Sequence, residues 1–304
     1  MTRIAFLGTP GAAIPTLDRL VSDFDVALVI TQPDRPKGRS GRPEPPPVKT
    51  RADELGLAVA QPSGSSEIEG MLVEAGPFDV GVVVAFGMLI KPGALAQPAR
   101  GMLNVHFSLL PRWRGAAPVA RALMAGDPMI GVTIIELDEN LDTGPVLTAQ
   151  AVDIQREENA GELTDRLAGL GGNLLANVLP AYLIGELVPV PQVEAGATYA
   201  SKLTPDDRPI RPEMSSLDAI NRIRGLSPLP GATLDLDGEP HKILRARASE
   251  HSPEPGVYKV IDGIPVAGIA DGGVELVEIQ PPGGRAMSGA EWARGRRSQT
   301  GPFR

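Results

Sequence analysis

The feature that most constrains this 304-residue chain is the alternation, through its first half, of short apolar runs with helix-patterned stretches. The runs cover residues 4–8 (IAFLG), 25–31 (DVALVIT), 57–60 (LAVA), 79–86 (DVGVVVAF) and 102–107 (MLNVHF). Strand-length apolar runs separated by helical periodicity read as βαβ units. Residues 80–86 are apolar at nearly every position, which suits a strand covered on both faces of a parallel sheet. The expectation is therefore an α/β fold with an open, mostly parallel, Rossmann-like sheet. Two further strands are expected at 131–137 and 146–154, joined by the acidic turn DENLDTGP. A helical region from 159 to about 185 closes this part.

Residues 186–204 lack strong periodicity and are rich in Pro, Val and Gly, so they read as a connecting segment. Beyond them comes one helical pattern at 217–224, then five short strands punctuated by Pro and Gly, the pattern of a small β-barrel. Ser288 followed by Glu291 is a capping-box signature for a last helix. The expected organisation is a catalytic domain over 1–185, a linker over 186–204 and a smaller OB-like β-barrel domain over 205–304. A length of 304 residues fits two domains.

Cysteine is absent, which removes disulfide scaffolds, thiolate metal sites and cysteine nucleophiles together. The start of the chain enters a strand-like segment with no basic n-region, and no apolar run reaches the roughly 18 residues of a membrane-spanning helix. A cytoplasmic protein is expected, with no membrane association. The net charge of −8 is uneven, with −7 falling in the first 204 residues and −1 in the rest. Against that acidic background, residues 34–51 hold six basic residues and two acids. A basic loop of this kind can meet phosphates.

The strongest candidate for chemistry is NVHFSLLPRWRG, 104–115, where a strand ends and a loop begins. Alternation puts Asn104 and His106 on one strand face, so an amide and an imidazole converge. Both can donate to a developing oxyanion. The stretch ELDENLDTGP, 136–145, offers four carboxylates, Glu136, Asp138, Glu139 and Asp142, and spacing does not choose among them. The turn GTPGAA at 8–13 is neither a dinucleotide fingerprint nor a Walker loop, which disfavours a dinucleotide-dependent oxidoreductase. A basic β domain acting alone as an RNA-binding module would leave the 104–106 pair unused.

NVHFSLLPRWRGAAP (104–118) with LDTG (141–144) resembles the signature of the folate-dependent formyltransferases. TQPDRPKGR, VVVAFG, TYASKL and LVEIQPPGGRAMSGAEWARGRR resemble the tRNA-acting branch of that family, so the likeness runs through nearly the whole chain. The resemblance implies formyl transfer from 10-formyltetrahydrofolate, a co-substrate, to the methionyl amino group on initiator tRNA, with no metal and no protein partner. It implies Asn104, His106 and Asp142 as the catalytic residues, which selects one acid of the four. It also implies folate binding by Phe86, Gly87, Ser108, Leu109, Leu110, Pro111 and Asp142. Contacts to tRNA are implied for Arg35, Lys37, Arg39, Arg42, Lys202, Arg245, Arg247 and Arg296. Ala12, Arg211 and the SPLP segment at 227–230 depart from aromatic positions usual in the family. A small amine in place of tRNA is the rival acceptor, and it predicts activity without the basic loop or second domain.

Overall fold

The computed structural model describes residues 1–36 and 41–303. Its contacts divide the chain into two compact units. The first comprises Met1–Ala116, Ile130–Val152 and Thr164–Ala200, and the second comprises Ala117–Met129, Asp153–Leu163 and Ser201–Arg304. The second unit thus takes in two stretches, 117–129 and 153–163, from the middle of the chain.

The first unit is built on a seven-stranded sheet. Its strands are β1 (Arg3–Gly8), β2 (Asp25–Ile30), β3 (Val59–Ala60), β4 (Val80–Val84), β5 (Met102–His106), β6 (Met129–Glu136) and β7 (Val146–Asp153). The spatial order is β7-β6-β5-β4-β1-β2-β3. β1 is parallel to both β2 and β4, β4 is parallel to β5, and β2 is parallel to β3. β6 breaks the pattern by running antiparallel to β5, pairing Leu103 with Glu136 and His106 with Thr133. The sheet is therefore mixed but mostly parallel, as its apolar runs led us to expect.

Every residue of β4 is buried. Full burial of a valine side chain contributes about 1.5–3 kcal/mol, so uninterrupted apolar runs are what this position in a sheet selects. Helix α1 (Ile14–Asp23) follows β1, α2 (Pro47–Glu54) precedes β3, and α3 (Ile68–Ala75) precedes β4. On one sheet face Ala5, Leu7, Leu28, Ile30 and Met102 form a core with Ile68 and Leu72 of α3. Among the helices after β5 are α4 (Pro118–Met124), α5 (Ala160–Leu183), α6 (Ser216–Leu226) and α7 (Gly289–Arg294). Gly171 of α5 approaches Val105 and Val132, on the face opposite Met102. Asn104 and His106 alternate with Val105 and so share the Met102 face.

The segment 34–51 is only partly loop. Arg35–Pro36 and Pro43–Glu44 pair as two-residue antiparallel strands, and α2 starts at Pro47. Proline at the first helical position has no N–H to leave unsatisfied, which is why a Pro-rich run can open a helix. Two of the six basic residues counted there lie on α2 and are already paired: Lys49 with Asp34 at 2.9 Å, Arg51 with Asp18 and Glu54 at 2.8 Å.

The second unit carries an antiparallel sheet of β8 (Ala232–Leu236), β9 (Glu239–Ser249), β10 (Val257–Ile261), β11 (Ile264–Ile269), β12 (Gly272–Gln280), β13 (Met287–Ser288) and β14 (Thr300–Pro302). The order is β8-β9-β12-β11-β10-β14, with β13 beside β12. Leu236 at the end of β8 bridges to Phe303 just past β14, which brings the two ends of the path together. Register shifts near Arg245 in the β9–β12 pair supply the local bend that such curling needs. Leu234, Ile243, Tyr258, Leu276, Ile279, Trp292 and Phe303 fill the interior with Ala219, Ile223 and Leu226 of α6. This is an OB-like half-barrel. At α7 the Ser288–Glu291 capping box forms as its sequence signature predicts. Among the described residues, no helix is long and apolar enough to cross a membrane.

Candidate active site

Three buried polar side chains meet in the first unit. Asn104, His106 and Asp142 are 9%, 5% and 8% exposed. Buried polar groups must find partners, because an unmade hydrogen bond in the interior costs more than a made one gains. Asn104 Nδ2 donates to Asp142 Oδ1 at 3.4 Å, and His106 Nδ1 lies 3.6 Å from Asp142 Oδ2. The Gly115 backbone N–H donates to Asp142 Oδ2 at 2.8 Å. His106 Nε2 is 2.9 Å from the Trp113 carbonyl. A carbonyl only accepts, so Nε2 carries hydrogen and Nδ1 is the nitrogen turned toward Asp142.

The antiparallel course of β6 explains how Asp142 arrives. The loop after β6 leaves beside the start of β5, with the Leu137 N–H bonded to the Met102 carbonyl, and folds back so that Asp142 reaches Asn104 and His106 across the face of β5. The carboxylate thus lies over the face of β5, beside its last residues. Gly144 makes the return possible, since a Cβ there would stand 1.8 Å from the Glu136 carbonyl oxygen.

Geometry also separates the four acids that spacing left equivalent. Glu136 accepts from the Tyr182 hydroxyl at 3.2 Å. Asp138 is occupied within its own turn by Thr143 Oγ1 at 2.8 and 2.9 Å and by the Asn140 N–H at 3.0 Å. Glu139 is exposed. Only Asp142 meets the amide and the imidazole.

The loop after β5 is held from beneath. Ser108 is fully buried; its hydroxyl donates to the Arg112 carbonyl at 2.6 Å, and its carbonyl accepts from Thr133 Oγ1 at 2.7 Å. Leu109, Leu110 and Pro111 are half-buried along this loop. Phe86 sits in the core cluster, and its carbonyl accepts from Thr9 Oγ1 at 2.8 Å and Gln32 Nε2 at 2.9 Å. Exposed Gly87 follows it at φ 77°. In these residues Ser108 is thus engaged in shaping the loop, while Phe86 turns its ring inward and leaves its backbone at the strand end.

Sequence reading misses the contribution of 192–200, which lies within the connecting segment expected at 186–204. Tyr199–Ala200 pairs in parallel with Arg114–Gly115, and the Thr198 hydroxyl accepts from the Trp113 N–H at 2.9 Å. Arg114, 1% exposed, donates to Gln192 and to Glu194. The Glu194 carboxylate beside it raises the Arg114 pKa, and the same contact lowers that of Glu194. Nothing local in the sequence signals this, because the burial of Arg114, and with it the need for a carboxylate, arises only in the fold.

Of the residues implied in tRNA contact, Arg35 and Arg42 are exposed on the first unit, and Lys37 and Arg39 lie outside the described residues. Lys202 is exposed on the second unit. Arg245, Arg247 and Arg296 have acidic neighbours within that unit. Arg245 pairs with Glu162 and lies 3.6 Å from Glu278; Arg247 pairs with Glu275 at 2.6 Å. Arg296 stacks over Trp292 at 4.4 Å, lies 3.9 Å from Glu239 and donates to His241 Nε2 at 2.9 Å. No group of three or more His, Asp or Glu residues is arranged to hold a metal ion among the described residues.

Family models match both units. The formyl transferase model covers residues 2–179, and the formyl transferase C-terminal domain model covers 202–297. The chain belongs to the formyl transferase family. A relative from Halorhodospira halophila, named methionyl-tRNA formyltransferase, is 45% identical over 300 residues, 97% of this chain and 96% of that one. Another of the same name from Jannaschia sp. is 41% identical over 98% of both chains. Among solved structures, the N-formyltransferase of Helicobacter canadensis, in complex with folinic acid and dTDP-3-aminofucose, has a TM-score of 0.69 at 16% identity, covering 92% of this chain and 99% of that chain. HypX from Aquifex aeolicus with tetrahydrofolic acid has a TM-score of 0.65 at 17% identity, covering 96% of this chain. This chain spans 46% of HypX, about half its length. These two structures share the fold of the family.

Proposed function

We propose that this formyl transferase moves the formyl group of 10-formyltetrahydrofolate to the α-amino group of methionyl-initiator tRNA, in the cytoplasm. The convergence of Asn104, His106 and Asp142 on one another carries the chemistry. The acceptor rests on relatives named methionyl-tRNA formyltransferase that align through both units.

As the amine attacks the formyl carbon, a nitrogen–carbon bond forms and the formyl oxygen gains negative charge. Asn104 Nδ2 has a second hydrogen to give that oxygen, and His106 Nε2–H reaches it by leaving the Trp113 carbonyl, a type of contact whose loss typically costs about 10²- to 10³-fold in rate. Asp142 orients the imidazole and takes up the proton leaving the attacking amine. Collapse breaks the bond from the formyl carbon to the folate nitrogen, which regains a proton. Phe86, Gly87, Ser108, Leu109, Leu110 and Pro111 frame the folate side through backbone groups and apolar loop surface. Arg35, Lys37, Arg39, Arg42 and Lys202 are the tRNA contacts we favour. Arg245, Arg247 and Arg296 would have to exchange intramolecular acidic partners for phosphates.

The test is a comparison of acceptors. The protein is incubated with 10-formyltetrahydrofolate and either charged initiator tRNA or small amines, including amino-sugar nucleotides. Formylation of the tRNA, weakened by salt and by Arg39→Ala, is the expected result. Efficient transfer to a small amine and none to tRNA would overturn the acceptor.

A further inference from the structure

Asp142 holds a backbone φ of 55°, in the left-handed region that costs a residue with a side chain about 1–2 kcal/mol. Such conformations persist only where neighbouring groups enforce them. Here one side chain does so from both directions. Gln192 Nε2 donates to the Asp142 carbonyl at 2.8 Å and to the Gly144 carbonyl at 2.8 Å, bracketing Thr143 with its two amide hydrogens.

The amide cannot turn over. Its Oε1 accepts from Arg114 Nε at 3.1 Å and from Arg114 Nη2 at 2.9 Å, and a guanidinium has no acceptor to offer. The far edge of Arg114 is held by the two Glu194 oxygens at 2.9 and 3.1 Å. Arg114 also lies between the two backbone groups that meet the trio, the Trp113 carbonyl at His106 and the Gly115 N–H at Asp142.

We infer that Gln192 is a positioning residue for formyl transfer: its amide fixes the 142–144 turn, and so the Asp142 carboxylate, against Asn104 and His106. The inference rests on the proposed catalytic role of Asp142. Gln192 touches none of the three catalytic side chains directly, so its effect belongs in the rate of the chemical step rather than in binding the formyl donor. Small displacements of a reacting group can cost up to about a hundredfold in rate.

The test uses Gln192→Glu and Gln192→Met in the full-length protein. The first keeps an oxygen for Arg114 but turns an oxygen toward two carbonyls; the second removes all three polar functions. Initial rates are measured with charged initiator tRNA, normalised to folded protein by circular dichroism, with Asp142→Asn in parallel. The expected result is kcat per folded molecule lowered roughly ten- to a hundredfold in both variants and KM for 10-formyltetrahydrofolate little changed, with Gln192→Met also lowering the thermal midpoint because buried Arg114 loses an acceptor. Wild-type kcat per folded molecule in either variant, beside a crippled Asp142→Asn, would overturn the positioning role alone. A loss of activity that only tracks lost folded protein would overturn it too, leaving Gln192 a stability residue. Wild-type kcat in Asp142→Asn would instead remove the catalytic reading on which the inference stands.

Discussion

Asp142 and Gly144 show how much of this site is decided by single backbone positions. Thr143 and Gly144 pass so close to the end of β6 that no side chain fits at 144. Gly144→Ala should therefore destabilise the protein by about 1–3 kcal/mol, the usual cost of overpacking, and lower kcat with it; chemical denaturation and initial rates check both. A second titratable residue has a different task. His241 is 1% exposed, and because Arg296 can only donate, His241 Nε2 accepts and Nδ1–H donates to the Glu239 carbonyl at 2.8 Å. Burial lowers its pKa from the ordinary 6.5. The unfolded chain then binds the proton more readily, so this contribution to stability is complete above about pH 6.5 and is lost as pH falls. Urea unfolding between pH 7.5 and 5 should show stability falling with pH, and His241→Gln should flatten that slope. Asp207 works at a lower range: Arg121, bonded to it at 2.6 Å, holds its pKa at about 2. Its contribution is present above the ordinary value of 3.8 and is lost as pH drops toward 2. In the sequence, the Asn104–His106 pair was legible because strand alternation is local. The tautomer of His106, the assignment of Asp142 by geometry and the setting of His241 were not, since each depends on where the chain folds back: Trp113 is 7 residues from His106, Asp142 is 38 from Asn104 and Arg296 is 55 from His241.

Elements were legible wherever a local rule governed them. The wholly apolar run at 80–84 became a central strand, and Ser288 with Glu291 became a capping box. Ser288→Ala should cost about 0.5–2 kcal/mol, read as a lowered thermal midpoint with formyl transfer per folded molecule unchanged. What could not be read locally was the direction of β6 or the value of the chain at 192–200. An apolar run states that a strand is buried but not which way it runs, and β6 turns out to be antiparallel to β5. The 192–200 stretch has no periodicity because its work is done by individual groups: Gln192, Glu194, the Thr198 hydroxyl and a two-residue pairing with Arg114–Gly115. The basic segment does hold six cations, but pairing is not visible in composition, and Lys49 and Arg51 are neutralised by Asp34, Asp18 and Glu54 around α2.

At the scale of the whole molecule, an acidic protein is proposed to act on a polyanion, which places the burden on a few clustered cations. Each phosphate contact steepens the salt dependence of binding, so Arg39→Ala should weaken tRNA binding and reduce the slope of log K against log salt by about 1. Filter binding across a salt series measures it. Both units match family models, but the chemistry is assigned to residues of the first alone, and that assignment is the central claim. Its most direct test is single-turnover formylation of charged initiator tRNA by Asn104→Ala and Asp142→Asn, alongside their affinity for 10-formyltetrahydrofolate. Rates lowered by about 10²-fold or more are expected in both variants, with the folate affinity of Asn104→Ala near that of the parent protein. Parent-like single-turnover rates in both variants would contradict it.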